Sequence, residues 1–364
     1  MLHLNSMKCI VVGGGLIGLA IAWRAAQRGL EVVLVDSPSA NAASRVGAGL
    51  LIPAGGRISR HHLALKTASA ELFPHTVAEL EQSTGLSCGF NPCGTLTVAF
   101  DPGADDSVDG MANCLRGMGV QVERLTGREC RRREPGLSER VAAGYFTGDH
   151  QVDPEKLALC YREAGKRAGV QYIDDKVTRV EARRVYIEKG QTLEADRVVV
   201  ATGAWLRQIL DLEVHPVKGE VVHLEGTAEM LSYNLVLRKE DIYIANRGDG
   251  RFVVGATVED AGFDTSMWAT MRLREKAEEL VPELKKCRQT DARVGFRPKV
   301  GDGLPLLGEY QGIVVAGAHY RCGILLTPIT STLLADYLVE GRTPELMKPF
   351  DPNRDARHRD EKRS

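Results

Sequence analysis

The chain has 364 residues, 43% of them hydrophobic and 26% charged, with a net charge of −1 at pH 7. That length holds two domains or one large interlocked body, and so small a charge gives no general attraction for nucleic acid or an anionic membrane. No apolar run reaches membrane-spanning length, and no Cys/His group has zinc spacing among the eight scattered cysteines. Without a disulfide framework, and with a first strand that begins almost at Met7 and leaves no room for a signal peptide, a cytoplasmic protein is expected. Cys88 and Cys93 are near enough in sequence to bridge, but free thiols fit the pattern better.

Residues 7–36 read as one βαβ unit. Residues 8–12 (KCIVV) are a short apolar run suited to a strand buried on both faces. Gly13-Gly14-Gly15-Leu16-Ile17-Gly18 fits G-x-G-x-x-G, and Leu16, Leu19, Ala20, Trp23 and Ala26 recur at helical spacing. Gly29 stops that helix, and a second strand over 31–35 ends in Asp36. Each part has a role in holding a dinucleotide. Gly13 permits the tight turn, Gly15 lets a pyrophosphate approach the backbone, and Gly18 lets helix and strand pack closely. The helix N-terminus at Leu16 and Ile17 offers unpaired N–H groups, and Asp36 accepts from a ribose hydroxyl.

Residues 41–53 (NAASRVGAGLLIP) form a loop whose small residues and Ser44 suit a phosphate and sugar. A helix is expected over 61–85, with His61 and His62 as solvated loop or cap and Gly85 as the stop. A strand over 94–100, a polar turn over 101–109, a short helix over 111–118 and a basic loop at Arg131, Arg132 and Arg133 follow. Asp153 caps, and Pro154 opens, a helix running to about Ala168. Strands are read over 171–177, 184–188 and 196–201, the last turning at Thr202 and Gly203. The runs 214–225, 234–238, 242–246 and 251–258 suit an antiparallel sheet. A helix over 272–284, a buried strand over 313–316 and a helix over 323–339 complete the order, and the polar tail 351–364 is expected to be disordered.

Nucleotide-binding elements thus recur at the start, middle and end, with antiparallel strands between them. The expected fold is α/β: a Rossmann-like dinucleotide-binding domain, discontinuous over 7–85, 141–210 and 290–345, with an inserted antiparallel-sheet substrate domain over 86–140 and 211–289.

Further runs add specificity. Ala43-Ser44 precedes the stretch 47–53, which holds Gly49 and Leu50. Val177 ends a strand; Ala201-Thr202-Gly203-Ala204-Trp205 is a second Gly-containing turn; Gly255-Ala256-Thr257-Val258-Glu259 closes a strand. Later come Gly295-Phe296-Arg297-Pro298, the DGLPLLG run at 302–308, and His319-Tyr320-Arg321-Cys322-Gly323-Ile324-Leu325-Leu326. With the opening turn and Asp36, these resemble the FAD-dependent amine and D-amino acid oxidase superfamily, and within it the glycine oxidases of the thiamine-biosynthesis type, over about residues 7–340. Two positions depart from that pattern: Cys322 stands where Asn is usual, and Leu50 where Met is common.

The resemblance implies non-covalent FAD, held by the 13–18 turn, Asp36, Ser44, Gly49, Leu50, Val177, the Thr202-Gly203 turn with Trp205, and the run from His319 to Leu325. It implies oxidation of glycine or another small amino acid by hydride transfer to the flavin, oxygen as acceptor with hydrogen peroxide released, and imine supplied to thiazole formation. It also implies a homotetramer. A substrate carboxylate needs a fixed cation, and Arg297 is the first candidate because a guanidinium binds both oxygens as a fork; a surface ion pair is the ordinary alternative. Tyr243 is placed by the resemblance beside the carboxylate, and Arg321 near the entrance. His319 reads as structural or flavin-adjacent, since hydride transfer needs no dedicated base. Two rival readings share the fold: a dehydrogenase that passes electrons to a quinone or other carrier, and a non-catalytic flavoprotein subunit.

Overall fold

In the computed structural model, which describes residues 7–54, 59–101, 108–240 and 242–354, the strand Lys8–Val12 sends alternate side chains into two cores. Cys9 and Val11 pack among the helices Leu16–Gln27, Pro154–Arg167 and Thr327–Glu340. Ile10 and Val12 pack on the opposite face with Val180, Val198 and Leu206. A strand covered on both faces has no polar side, which explains the unbroken apolar run.

This strand sits inside a six-stranded sheet ordered Leu306–Tyr310, Ile313–Gly317, Arg197–Val200, Lys8–Val12, Glu31–Asp36 and Gln171–Asp174. All neighbours run parallel except at the Leu306–Tyr310 edge. The chain leaves Lys8–Val12 towards Glu31–Asp36 on one side and returns much later to Arg197–Val200 on the other. The carboxyl ends of the three strands therefore open a crevice at Gly13, Asp36 and Ala201, the usual ligand position in such a sheet.

A second sheet has eight strands, ordered Arg288–Lys299, His215–Glu225, Arg251–Gly255, Ile242–Asn246, Asn234–Leu237, Thr95–Ala99, Ala143–Thr147 and Glu123–Thr126. It is antiparallel except where Asn234–Leu237 meets Thr95–Ala99 in parallel. One face is covered by the helix Thr270–Leu280 through Leu273, Ala277 and Leu280. On the other, Val221, Ala245 and Val253 meet Val46 and Ala48 from the nucleotide side.

Several elements differ from expectation. Ala143–Thr147 and all but the first two residues of Arg288–Lys299 fall inside the residue ranges expected for the dinucleotide domain, yet both strands pair into the eight-stranded sheet. Arg288–Lys299 pairs with His215–Glu225 from Lys299 opposite His215 to Arg288 opposite Glu225. Its charged first half hides the strand in sequence. Arg131, Arg132 and Arg133 end a helix, Gly127–Arg133, started by a capping box between Thr126 and Glu129; the basic residues suit its negative end. The last helix begins at Thr327 instead of 323, with Pro328 where no N–H is needed. The stretch 41–53, expected as loop, contains the short helix Ala43–Val46 and strand Leu50–Leu51. His62 lies inside the helix Arg60–Thr84 and is buried, because the cap is Ser59, whose hydroxyl accepts from the His62 N–H at 3.2 Å. Cys88 and Cys93 are free.

Most of the expected polar turn, 102–107, and the tail 355–364 lie outside the described residues. The start of that tail is tied down. Arg354 donates through Nε to Asp302 Oδ2 at 2.8 Å and through Nη2 to Oδ1 at 3.1 Å and the Leu304 carbonyl at 2.9 Å. Among the described residues no helix is long and apolar enough to cross a membrane.

Asp302 is 1% and Arg354 13% exposed at the side chain. Arg354→Ala should therefore strand a buried carboxylate and lower unfolding stability by about 3 kcal/mol, measured by urea denaturation.

Candidate active site

The turn after Lys8–Val12 is built from positions that tolerate no side chain. Gly13 has φ +106°, and a Cβ there would meet the Ala201 carbonyl oxygen at 2.6 Å. A Cβ on Gly14 would lie 2.6 Å from Asp36 Oδ2, and one on Gly18 only 1.9 Å from the Gly13 carbonyl oxygen. The Gly14 N–H donates to Asp36 Oδ1 at 2.8 Å, so the carboxylate at the strand end braces the turn and keeps its second oxygen for a ligand. Gly15 is the N-cap of Leu16–Gln27, with no side-chain cap and no acid in the first turn. Its N–H groups thus present positive charge to an anion.

This turn opens into a cavity of about 1390 Å³ that runs from the six-stranded sheet to the eight-stranded one. Its nucleotide end is lined by Gly13, Gly15, Leu16, Ile17, Asp36, Ser44, Val177, Thr202, Gly203 and Trp205. Thr202 Oγ1 is buried there without a hydrogen-bond partner among the described residues, which is what a hydroxyl awaiting a ligand oxygen looks like. Trp205 stacks on Phe263, with ring centroids 5.4 Å apart. Gly49, Leu50, His319, Tyr320, Arg321, Cys322, Gly323 and Ile324 line the middle. The cradle of glycines, the orphaned hydroxyl and the cavity volume all fit FAD.

Two named positions do not reach the cavity. Gly18 lies beneath the turn, where its missing Cβ lets the helix approach. Leu325 is a 2% exposed core residue; its carbonyl accepts from Ser69 Oγ at 2.6 Å. The turn at Leu325 points its side chain inward because the helix proper starts only at Thr327.

The far end is cationic. Arg297 lies on Arg288–Lys299 and its guanidinium crosses Gly219 of the neighbouring strand, where a Cβ would sit 2.4 Å from Nη1. Nη1 donates to the Thr257 carbonyl at 3.0 Å and the Lys218 carbonyl at 3.4 Å. Arg297 makes no ion pair among the described residues. Tyr243 comes from Ile242–Asn246, and its hydroxyl lies over Gly255, where a Cβ would be 2.5 Å away. Burial raises the Tyr243 pKa, and Arg297, Arg321 and Arg247 partly oppose the rise, so the phenol remains a proton donor at neutral pH. Arg321 is exposed at the cavity edge.

His319 is buried with Nε2 3.2 Å from Thr330 Oγ1, and burial, then His62, lowers its pKa to about 3. It is held neutral as a packing residue. Alongside it, Ala318 and Tyr320 take left-handed backbone at φ 54° and 48°, a cost of about 1 kcal/mol or more each that is typical of functional turns.

The sequence reading took His62 for a solvated loop or cap residue and passed over Lys66, Tyr145 and Arg238, yet all four line the cavity. They come from three separated segments and share no motif. The one available signal was periodicity: His62 and Lys66 fall on the inward face of Arg60–Thr84 with Leu65, Ser69 and Phe73.

With this geometry in view, comparison with known proteins is specific. The family model described as DAO, FAD dependent oxidoreductase, matches residues 8–337. The chain is 34% identical over 362 residues to the bifunctional protein ThiO/ThiG of Synechocystis sp., covering 95% of this chain and 53% of that one. It therefore spans about half the length of that curated relative. It is 32% identical over 362 residues to the glycine oxidase of Geobacillus kaustophilus, covering 94% of this chain and 96% of that one. The crystal structure of glycine oxidase from Geobacillus kaustophilus superposes with a TM-score of 0.89 at 31% identity, over 96% and 99% of the two chains.

Gly18→Ala should abolish FAD retention, because the clash is with backbone and no rotamer relieves it; the measurement is the flavin-to-protein absorbance ratio after gel filtration. A second expectation concerns acid. His62, lowered to about 4 by burial and then Lys66, and His319, lowered to about 3, both refuse protons that the unfolded chain accepts below the ordinary value of 6.5. Their contribution to stability is complete above 6.5 and is lost as pH falls towards those folded values, at about 1.4 kcal/mol per pH unit for each. His319→Gln should remove one such slope in urea unfolding between about pH 6.5 and 4.5.

Proposed function

The chain belongs to the DAO family of FAD-dependent oxidoreductases, and from that membership we propose that it oxidises glycine or another small primary or secondary amino acid, with molecular oxygen as the electron acceptor. The observation that carries this reading is Arg297, a half-buried guanidinium at the cavity wall, fixed by two backbone carbonyls and lacking a carboxylate of its own. A fixed fork of N–H donors binds both oxygens of a carboxylate.

When bound, FAD supplies a hydride acceptor. With it in place the substrate Cα–H bond would give up its electron pair as hydride while the amine lone pair closes the C=N bond, and water would then release the oxo acid with ammonia from a primary amine or a primary amine from a secondary one. Oxygen would take those two electrons together with two protons and leave as hydrogen peroxide. The chain's own residues aim this chemistry. Arg297 holds the substrate carboxylate, and the neutral Tyr243 hydroxyl donates to it. Arg321 guards the cavity edge. Tight placement of the Cα–H bond accounts for much of the rate, as orientation does generally. His319 is not placed as a base: it is buried, neutral and engaged with Thr330. The substrate amine therefore enters neutral, and flavin reduction rises with pH as the free amine deprotonates.

Non-covalent FAD is part of the proposal, with Cys322 as a wall residue of the flavin site. The likeness to the bifunctional ThiO/ThiG protein extends it to the fate of the imine, as a supply for thiazole formation in thiamine synthesis.

The test is anaerobic reduction followed by air. Glycine should bleach the flavin, and peroxide should appear promptly on reoxidation. Bleaching with no prompt peroxide would replace oxygen with another acceptor, and absence of bleaching by glycine, sarcosine, D-alanine and D-proline would overturn the reading. Arg297→Ala should raise the glycine KM about 100-fold, as loss of a charged, bidentate contact predicts, while FAD stays bound. Gly219→Ala should raise KM in the same direction by displacing the guanidinium, and steady-state kinetics with the flavin ratio checks both.

A further inference from the structure

Lys66 is a cation on the inward face of Arg60–Thr84. It is 5% exposed, lines the cavity, and makes no hydrogen bond or ion pair among the described residues. A lysine removed from solvent in this way is costly unless an opposite charge meets it.

Its surroundings show where it stands. The facing wall is the eight-stranded sheet, which contributes Thr97 and Tyr145 to the cavity, with Arg238 just beyond the strand Asn234–Leu237. Arg238 engages the Tyr145 hydroxyl. Asp149 acts on Lys66 through space, but its Oδ2 is held by Thr147 Oγ1 at 2.5 Å, and burial pushes its carboxyl up to about 6. His62, one turn earlier on the helix, is held neutral at pH 7 and adds no charge. The cavity thus has a cation on each of these walls, Lys66 on the helix and Arg238 on the sheet side, and among the described residues no carboxylate forms an ion pair with Lys66. Arg297 and Arg321 stand elsewhere on the same cavity, where they suffice for one carboxylate. A substrate as small as glycine leaves Lys66 unanswered.

We infer that Lys66 is a specificity-determining residue, and that the cavity takes an amino acid carrying a second carboxylate, which pairs with Lys66 while Arg297 holds the first. The inference rests on the amino-acid oxidase reading and makes dicarboxylic amino acids the preferred substrates within it, ahead of glycine.

Two carboxylates that cannot be oxidised separate this from catalysis. The flavin-loaded protein is titrated with succinate and with butyrate, which differ by the second carboxylate, and binding is followed by the perturbation of the flavin absorbance. Succinate should bind about 10- to 100-fold more tightly, the span of one charge-assisted contact. Lys66→Met should erase that preference and leave butyrate binding unchanged, and Lys66→Arg should keep it. In the same preparations D-aspartate should reduce the flavin at lower concentration than D-alanine. Equal binding of succinate and butyrate by the unaltered protein would overturn the inference, and glycine would still reduce the flavin, leaving the oxidase reading intact. Equal loss of both ligands in Lys66→Met would also overturn it, assigning Lys66 to the flavin site itself. A succinate preference with no reduction by any amino acid would overturn the oxidase reading and, with it, the substrate class assigned here.

Discussion

A contact with no room for a methyl group governs the nucleotide end of this protein: Gly18 against the carbonyl of Gly13. Because the helix Leu16–Gln27 can approach the strand Lys8–Val12 that closely, its first N–H groups come level with the strand's carboxyl end. The same closeness sets Gly14 against Asp36 and Gly13 against Ala201. Three strands of one parallel sheet are thereby registered around a single turn. The positive end of the helix, the carboxylate of Asp36 and the hydroxyl of Thr202 face one space. Relaxing the contact would move all three, which is why the turn concentrates glycine where elsewhere the chain uses alanine and leucine.

The substrate end depends on how the second sheet is attached. Segment 41–50 threads between the sheets and is held by backbone groups from both sides. Asn41 Nδ2 donates to the Val294 carbonyl at 2.9 Å, and the Phe296 N–H donates to the Asn41 carbonyl at 3.1 Å. Arg247, its pKa lowered to about 10 by burial, donates through Nη1 to the carbonyls of Ala48 at 2.8 Å and Val152 at 2.7 Å. These bonds fix the strand carrying Arg297 relative to the loop carrying Gly49 and Leu50. The result is a cavity with Asp36 at its nucleotide end and the guanidinium of Arg297, without an ion pair among the described residues, at the other. A ligand that is a dinucleotide at one end and meets a carboxylate at the other matches that polarity.

Legibility in sequence followed the range of the interaction. The βαβ opening was readable because its glycines, helix stripe and terminal acid lie within 7–36 and each has a local cause. Arg297 and Tyr243 were reachable only through motif resemblance: they sit on strands whose neighbours in space, Gly219 and Gly255, are 78 and 12 positions away in the chain. Arg288–Lys299 escaped because its first four residues are polar and exposed, which hides the alternation of a strand. His62 was misread as solvated since a pair of histidines at a helix start carries no sign of which one turns inward. Lys66 had only its helical spacing with Leu65, Ser69 and Phe73 to mark it, and a lysine in a helical pattern ordinarily belongs to the wet face.

The sequence by itself determined the family, the dinucleotide turn and the kind of cofactor, because those depend on short-range backbone geometry that specific residues at specific spacings impose. Tertiary structure alone decided that Ala143–Thr147 and Arg288–Lys299 join the second sheet, that Leu325 turns into the core, and that Arg297 has no acid of its own while Lys66 is buried beside the same cavity. Those outcomes depend on strand order, on helix rotation and on which charges meet across space. Each is a sum over contacts between distant segments, and no local pattern in the chain records such a sum.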